Sequence, residues 1–294
     1  MDEDATVRVC NFTFPRIQVQ SRVNASRMCT SLISSRTHMP RGGAIFEVSR
    51  IRDAKIAEKA GACAIVLSQS ICFCNSRMID PSLIAKFKAA VSIPIIARVR
   101  VGHVVEAEIL QAVGVDFIDE SEILGTADKE NHINKGDFTC PFICGSTNLG
   151  EALERIKEGA AMIRTQGIES ICGDIAKTVR NVRSVMEDIR LLHNMSEGEC
   201  LEFSGKIGVP SDLAAQTGRM GRLPVVHFAA GGIVTPADAA FMMRLGCDGV
   251  FVGPEMFDCP DPYKRARGIV EAVNRYDDPN AVAVAVAVAM SGLN

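Results

Sequence analysis

Four times in this chain an amphipathic segment runs into a single glycine and then into a short apolar run: EKAGACAIVL, QAVGVDFIDE, IKEGAAMIRT and MRLGCDGVFV. A helix ends favourably on a left-handed residue, which glycine supplies without a Cβ clash, so Gly61, Gly114, Gly159 and Gly246 read as helix ends. The unbroken apolar runs behind them suit strands covered on both faces, as parallel strands are. Repeated junctions of this kind restrict the chain to a parallel sheet assembled from βα units.

Laying out every such run predicts strands at residues 44–48, 62–68, 93–99, 115–121, 141–146, 161–166, 224–230 and 248–253. Helical segments such as VVEAEILQAV and NLGEALERIKEGA lie between them. Eight is the number of strands that closes a (β/α)8 TIM barrel. A doubly wound open sheet is built from the same alternation, but no nucleotide fingerprint follows the first strand, which favours the barrel. The expected barrel spans residues 42–278, with an insertion from Asp174 to Gly221 that reads as two or three extra helices between the sixth and seventh strands. Residues 1–41 read as an atypical, poorly structured N-terminal segment. Residues 279–294 read as a low-complexity tail, whose AVAVAVAVAM suits either a strand or an Ala-rich helix and is aggregation-prone if exposed.

Composition narrows the function classes. With 47% apolar and 23% charged residues the chain can bury a sizeable core. A formal net charge of −3 gives no general basic surface, which argues against nucleic acid as a partner, and no run is apolar enough to span a membrane. The eleven cysteines form no CxxC pair and no two histidines sit at ligand spacing, so no metal site is expected. The thiols read as reduced, in a cytoplasmic compartment. Residues 5–41 lack acidic side chains and carry Arg8, Arg16, Arg22, Arg27, Arg36 and Arg41, the composition of a transit segment, whereas the acidic start Asp2, Glu3, Asp4 favours a plain tail.

In a barrel the functional face is the C-terminal end of the strands. The charged residues expected there are Glu47, Arg98, Arg100, Asp119, Glu120, Glu122 and Arg164. Period-2 alternation places Ile96, Arg98 and Arg100 on one strand face, so both arginines are predicted to rise into the mouth and to pair with Asp119 or Glu122. A structural salt-bridge plug is the bland reading of this cluster. A separate signal comes from FAAGGI after the seventh strand and GVFVG at the end of the eighth, where barrels commonly bind phosphate through backbone N–H groups. Gly231, Gly232 and Gly253 are the candidate ligands, although Pro254 has no N–H to give. His103 and His132 read as surface or capping residues. Ser146 and Ser204 lack a nucleophile-elbow context, and Met162, Met186, Met242 and Met243 read as core filler.

The stretches RGGAIFEV, IPIIARVRVGHVVEAEIL, VDFIDESEIL, INKGDFTCPFICG, EGAAMIRTQG, PVVHFAAGGIVTPADAA and LGCDGVFVG resemble, in order and spacing, the synthase subunit of pyridoxal 5′-phosphate (PLP) synthase over about residues 41 to 278. The likeness is greatest to the plant branch that includes non-catalytic members. It implies a (β/α)8 barrel assembling into hexameric rings that stack into a dodecamer. It also implies synthesis of PLP, as product rather than cofactor, from ribose 5-phosphate, glyceraldehyde 3-phosphate and ammonia supplied by a glutaminase subunit. That lyase-class chemistry uses two lysines as Schiff-base formers. Here their positions are Arg98, whose delocalised guanidinium cannot form an imine, and Gln166, an amide. Glu47 replaces the expected aspartate, Pro254 the expected serine, and Glu154 an expected arginine beside the retained Arg155. The segment after the second strand, SQSICFCNSRMIDP, and the loop after the sixth, GIESICGD, lack the family's glycines, though Gly167 remains a candidate phosphate ligand alongside Gly231, Gly232, Gly253, Arg98 and Arg100.

Asp119, Glu122 and Arg164 match the polar shell. The family's first helices, which dock the glutaminase, are not recognisable before residue 41, and its C-terminal helix gives way to the alternating tail. Three readings stay open. The chain is a pseudoenzyme co-assembling with catalytic paralogues in vitamin B6 biosynthesis, an active synthase recruiting Lys129 or Lys135 as the amine, or a phosphosugar-binding sensor.

Overall fold

The computed structural model describes residues 6–9, 12–15, 42–68, 77–128, 130–166 and 174–291, the first two segments as backbone only. Gly167, Lys129, Cys72 and Cys74 lie outside the described residues. Near the N-terminus, β1 (Thr6–Val9) and β2 (Phe12–Pro15) pair antiparallel. The eight remaining strands are β3 (Ala44–Val48), β4 (Ala64–Leu67), β5 (Ile95–Val99), β6 (Phe117–Glu120), β7 (Phe142–Ser146), β8 (Ala160–Gln166), β9 (Val226–Ala230) and β10 (Gly249–Val252). They pair in chain order, all parallel, and β10 closes back onto β3. The expected (β/α)8 barrel is therefore the fold, and the open-sheet alternative is excluded by that closing ladder.

Each predicted strand is present: six are shorter by one or two residues at one or both ends, the first is unchanged, and the sixth begins one residue earlier, at Ala160. Most of the trimmed residues belong to the helix-to-strand corners. At the first of them Gly61, with φ 96°, ends helix α1 (Ile51–Ala60), and its N–H bonds back to Ala57 and Glu58 carbonyls. Around the barrel follow α2 (Pro81–Ala90), α3 (Val104–Val113) and α4 (Leu149–Lys157). The insertion resolves into three helices, α5 (Ile175–Asn194), α6 (Glu197–Ile207) and α7 (Ser211–Met220). The ring is completed by α8 (Pro236–Leu245) and α9 (Pro262–Asn274), with α10 (Pro279–Met290) lying against α9.

The pleat sorts the strand residues into two cores. Inside the barrel, Ile45, Val66, Ile96, Phe117, Ile143, Met162, Phe228 and Phe251 fill the lower layers. Phe228 and Phe251 meet edge-on at 5.8 Å. Outside it, Phe46, Ile65, Ala97, Ile118 and Val250 pack under the helices. The insertion has its own apolar cluster, Val185, Ile189, Leu192 and Ala214, continuous with Leu153 and Ile163 of the barrel wall.

One sequence expectation is resolved and one changes. The alternating AVAVAVAVAM, which suited either a strand or an Ala-rich helix, is a helix. Asp278 caps it by accepting from Asn280 and Ala281 N–H groups, Pro279 occupies the first turn, and alanine has the highest helix propensity. Arg100 is the second. The strand ends at Val99, so the period-2 rule no longer applies one residue later. The guanidinium turns out of the mouth to Glu106 of α3, 2.8 Å away. Among the described residues, no helix is long and apolar enough to cross a membrane, and no group of three or more His, Cys, Asp or Glu side chains is arranged to hold a metal.

Candidate functional site

Above the apolar layers the inward positions of β3, β5, β6 and β8 carry Glu47, Arg98, Asp119 and Arg164. Arg98 and Asp119 are register partners on adjacent strands. Arg98 Nη2 donates to Glu47 Oε2 at 2.7 Å and Nε to Asp119 Oδ2 at 3.2 Å. The other oxygen of Asp119 accepts from Arg164 Nη2 at 3.1 Å, and the same nitrogen donates to Ser121 Oγ at 3.2 Å. Glu122, in the 3-10 turn Glu122–Leu124 that follows β6, lies 3.8 Å from Arg164 and accepts from Gln166 Nε2 at 3.1 Å. Six of the predicted site residues thus form one chain: Glu47, Arg98, Asp119, Arg164, Glu122, Gln166.

The middle of this chain is buried, while Glu47 and Glu122 keep part of their side chains exposed. Arg164 and Asp119 have no exposed surface and Arg98 only 5%. Charges so placed are tolerated only when paired. Burial works against ionising Glu47, but the charge and hydrogen bond of Arg98 outweigh it and hold the carboxyl below its ordinary value. Burial likewise opposes the Arg98 cation, and Glu47 with Asp119 more than restores it. Glu122 goes the other way: burial raises it, and Arg164 only partly offsets the effect. Two nitrogens of Arg164, Nε and Nη1, are buried without a hydrogen-bond partner, and its guanidinium lies 5.9 Å from the centre of the Phe251 ring, at the floor of the mouth.

Sequence reasoning missed two contributors. Gly145 of β7 is one: a Cβ there would overlap the Glu122 carboxylate, so only glycine lets that side chain lie across the strand end. PFICGS shows a glycine inside a strand, which is the available signal for a close approach. Ser121 is the other, a hydroxyl that both accepts from Ile123 N–H and takes Arg164. Glu120, predicted at the same end, points outward. It meets Lys135 at 2.7 Å and His132 at 3.3 Å, and Lys135 also reaches Glu158 at 2.8 Å. Glu154 and Glu158 both pair with Arg155. These residues tie β6 to α4 outside the barrel.

Gly231 and Gly232 follow β9 with φ 102° and 71°. The ladder sets Ala230 opposite Phe251, so their loop leaves the barrel beside Gly253. Gly253 caps a short 3-10 turn, Pro254–Phe257.

An all-parallel eight-stranded barrel whose polar side chains gather at the strands' C-terminal ends defines a protein of the (β/α)8 class with a strand-end site. Within that class, the SOR/SNZ family model matches residues 30–230, and the chain belongs to that family. It is 58% identical over 245 residues to the pyridoxal 5′-phosphate synthase-like subunit PDX1.2 of Arabidopsis thaliana, covering 83% of this chain and 78% of that protein. It is 54% identical to the probable pyridoxal 5′-phosphate synthase subunit PDX1 of Hevea brasiliensis and 53% to subunit PDX1.3 of Arabidopsis thaliana. Each of these two alignments covers 87% of this chain and 85% of the relative. The resemblance drawn from the motifs holds.

Proposed function

We propose that this chain is a non-catalytic subunit of a PLP synthase complex, acting in vitamin B6 biosynthesis by co-assembling with catalytic relatives. The observation that carries this reading is the state of the two positions where the family resemblance implies Schiff-base lysines. Arg98 is bound on both sides by carboxylates and Gln166 is hydrogen-bonded to Glu122. Neither side chain is a primary amine, and an imine needs one that can shed its proton and attack. The described barrel strands carry no lysine. Lys135, the candidate replacement, is enclosed between Glu120 and Glu158 on the outer side of β6, where it meets no mouth residue.

A sensor that grips a phosphosugar through Arg98 and Arg100 is disfavoured for the same reason. Arg98 already has two carboxylate partners, and Arg100 pairs with Glu106. Relatives named as PLP synthase subunits support the pathway and a partner of their own kind, whether in hexameric or dodecameric rings. Binding of a glutaminase subunit is left out of the proposal, because the helices that would dock one are not recognisable before residue 41.

The test is PLP formation from ribose 5-phosphate, glyceraldehyde 3-phosphate and an ammonium salt by the purified chain, alongside co-expression with an active relative and size-exclusion chromatography. No PLP and co-elution in one large species are expected. PLP made by the unaltered chain, with any active relative excluded by mass spectrometry, would overturn the reading.

A further inference from the structure

We propose that Glu255 occupies, with the protein's own carboxylate, the phosphate seat that (β/α)8 barrels form after their seventh and eighth strands, and so makes this mouth reject phosphate esters. Such a seat is a set of free backbone N–H groups on glycine loops that an anion can approach closely. Here the N–H groups after Gly253 can be accounted for one by one. Pro254 has none. The N–H of Glu255 stands next to its own carboxylate, which lies over Gly253. The N–H of Met256 bonds the Gly253 carbonyl at 3.3 Å. Of these three positions, one has no N–H, one has its N–H already bonded, and the third is shadowed by a carboxylate.

The space is taken as well. Both carboxylate oxygens of Glu255 lie against the Cα of Gly253, so close that a Cβ on that glycine would overlap them. Across the ladder, Gly232 faces the start of α5, where a Cβ would stand 2.8 Å from Ile175 Cα. The two glycine faces are thus covered, one by a carboxylate and one by helix backbone. The charge balance points the same way. Glu255 feels the negative charges of Glu47 and Asp258, while the nearby cations Arg98 and Arg164 are committed to Glu47, Asp119 and Ser121. A phosphate dianion entering here meets carboxylates, with no uncommitted cation at the loop among the described residues. Arg164 keeps two unpartnered nitrogens but has no exposed surface.

The inference stands on the loop geometry and does not require the chain to be non-catalytic. Its test reads ligand binding and not PLP, so the two proposals fail separately. Inorganic phosphate and then ribose 5-phosphate are titrated calorimetrically into the full chain, into Glu255→Gln, and into Pro254→Ser/Glu255→Gly, with thermal melts confirming that each is folded. No binding at millimolar phosphate is expected for the unaltered chain. The double variant should gain affinity by roughly tenfold or more. Glu255→Gln, which keeps the size and the acceptor but not the charge, should fall between them. Phosphate binding by the unaltered chain as tight as by the variants would overturn the proposal. So would folded variants that gain nothing, and Glu255→Gln decides alone if the double variant does not fold.

Discussion

His227 shows how a single side chain sets the acid stability of this barrel. It is fully enclosed on the outer face of β9, with Nε2 2.8 Å from Thr165 Oγ1, and burial pushes it down to about 4 despite the nearby Asp248 carboxylate. An unfolded histidine titrates near 6.5. Below that pH the unfolded chain binds a proton that the native chain refuses, so stability falls as pH drops and the loss levels off near the folded value. The full loss is roughly 3 kcal/mol. Glu120, which His132 and Lys135 hold down to about 2 against its burial, contributes its loss only below the ordinary carboxylate range. The raised carboxyls Glu122 and Glu255 act in the opposite sense above that range. The informative quantity is therefore a difference. Urea midpoints from pH 7 to 4.5 should decline less steeply for His227→Gln than for the unaltered chain, and parallel slopes would refute the assignment.

Much of the site was readable at this scale. Arg98, Asp119 and Arg164 sit on inward strand positions that the pleat fixes, so their meeting follows from alternation and register. Gly145, Ser121 and Glu255 act through neighbours distant in sequence or through a turn, and no periodicity marks them.

Elements were legible where a cap or a period was unambiguous and not where two patterns overlapped. AVAVAVAVAM carries the alternation of a strand and the alanine content of a helix. Its resolution depended on Asp278, Pro279 and the surface offered by α9. That surface is set by Gly268, where a Cβ would stand 2.8 Å from Ala285 O and 3.1 Å from Ala289 Cβ. The helices therefore approach until backbone meets backbone. A Gly268→Val substitution should push α10 outward and lower stability by about 1–3 kcal/mol, the usual penalty of overpacking. Hydrogen exchange should then rise along Pro279–Met290 ahead of the barrel strands. Unchanged protection in α10 would show that the glycine sets nothing.

For the whole molecule, the parallel order followed from the four repeated helix-to-strand junctions, because each dictates the direction of the next strand, and the count of eight from the apolar runs. What junctions do not encode is whether the helical insertion folds with the barrel or beside it. The packing answers this. Ile189 and Leu192 of α5 share one apolar cluster with Leu153 and Ile163, which belong to the barrel layers. Ile96→Ala inside the barrel and Leu192→Ala in the insertion should each cost about 2–5 kcal/mol and should move one common unfolding transition. A separate early transition in Leu192→Ala alone, followed by far-ultraviolet circular dichroism in urea, would contradict that coupling.

The pair of carboxylates gripping Arg98 also bears on how the strand ends hold together. Arg98 spans the buried Asp119 and the part-buried Glu47 with its rigid fork, which a compact ammonium lacks, and a buried acid left without its partner costs typically about 3–5 kcal/mol. The arginine is the keystone of the mouth: one side chain clasps the ends of β3, β5 and β6 together, and whatever replaces it has to clasp them too.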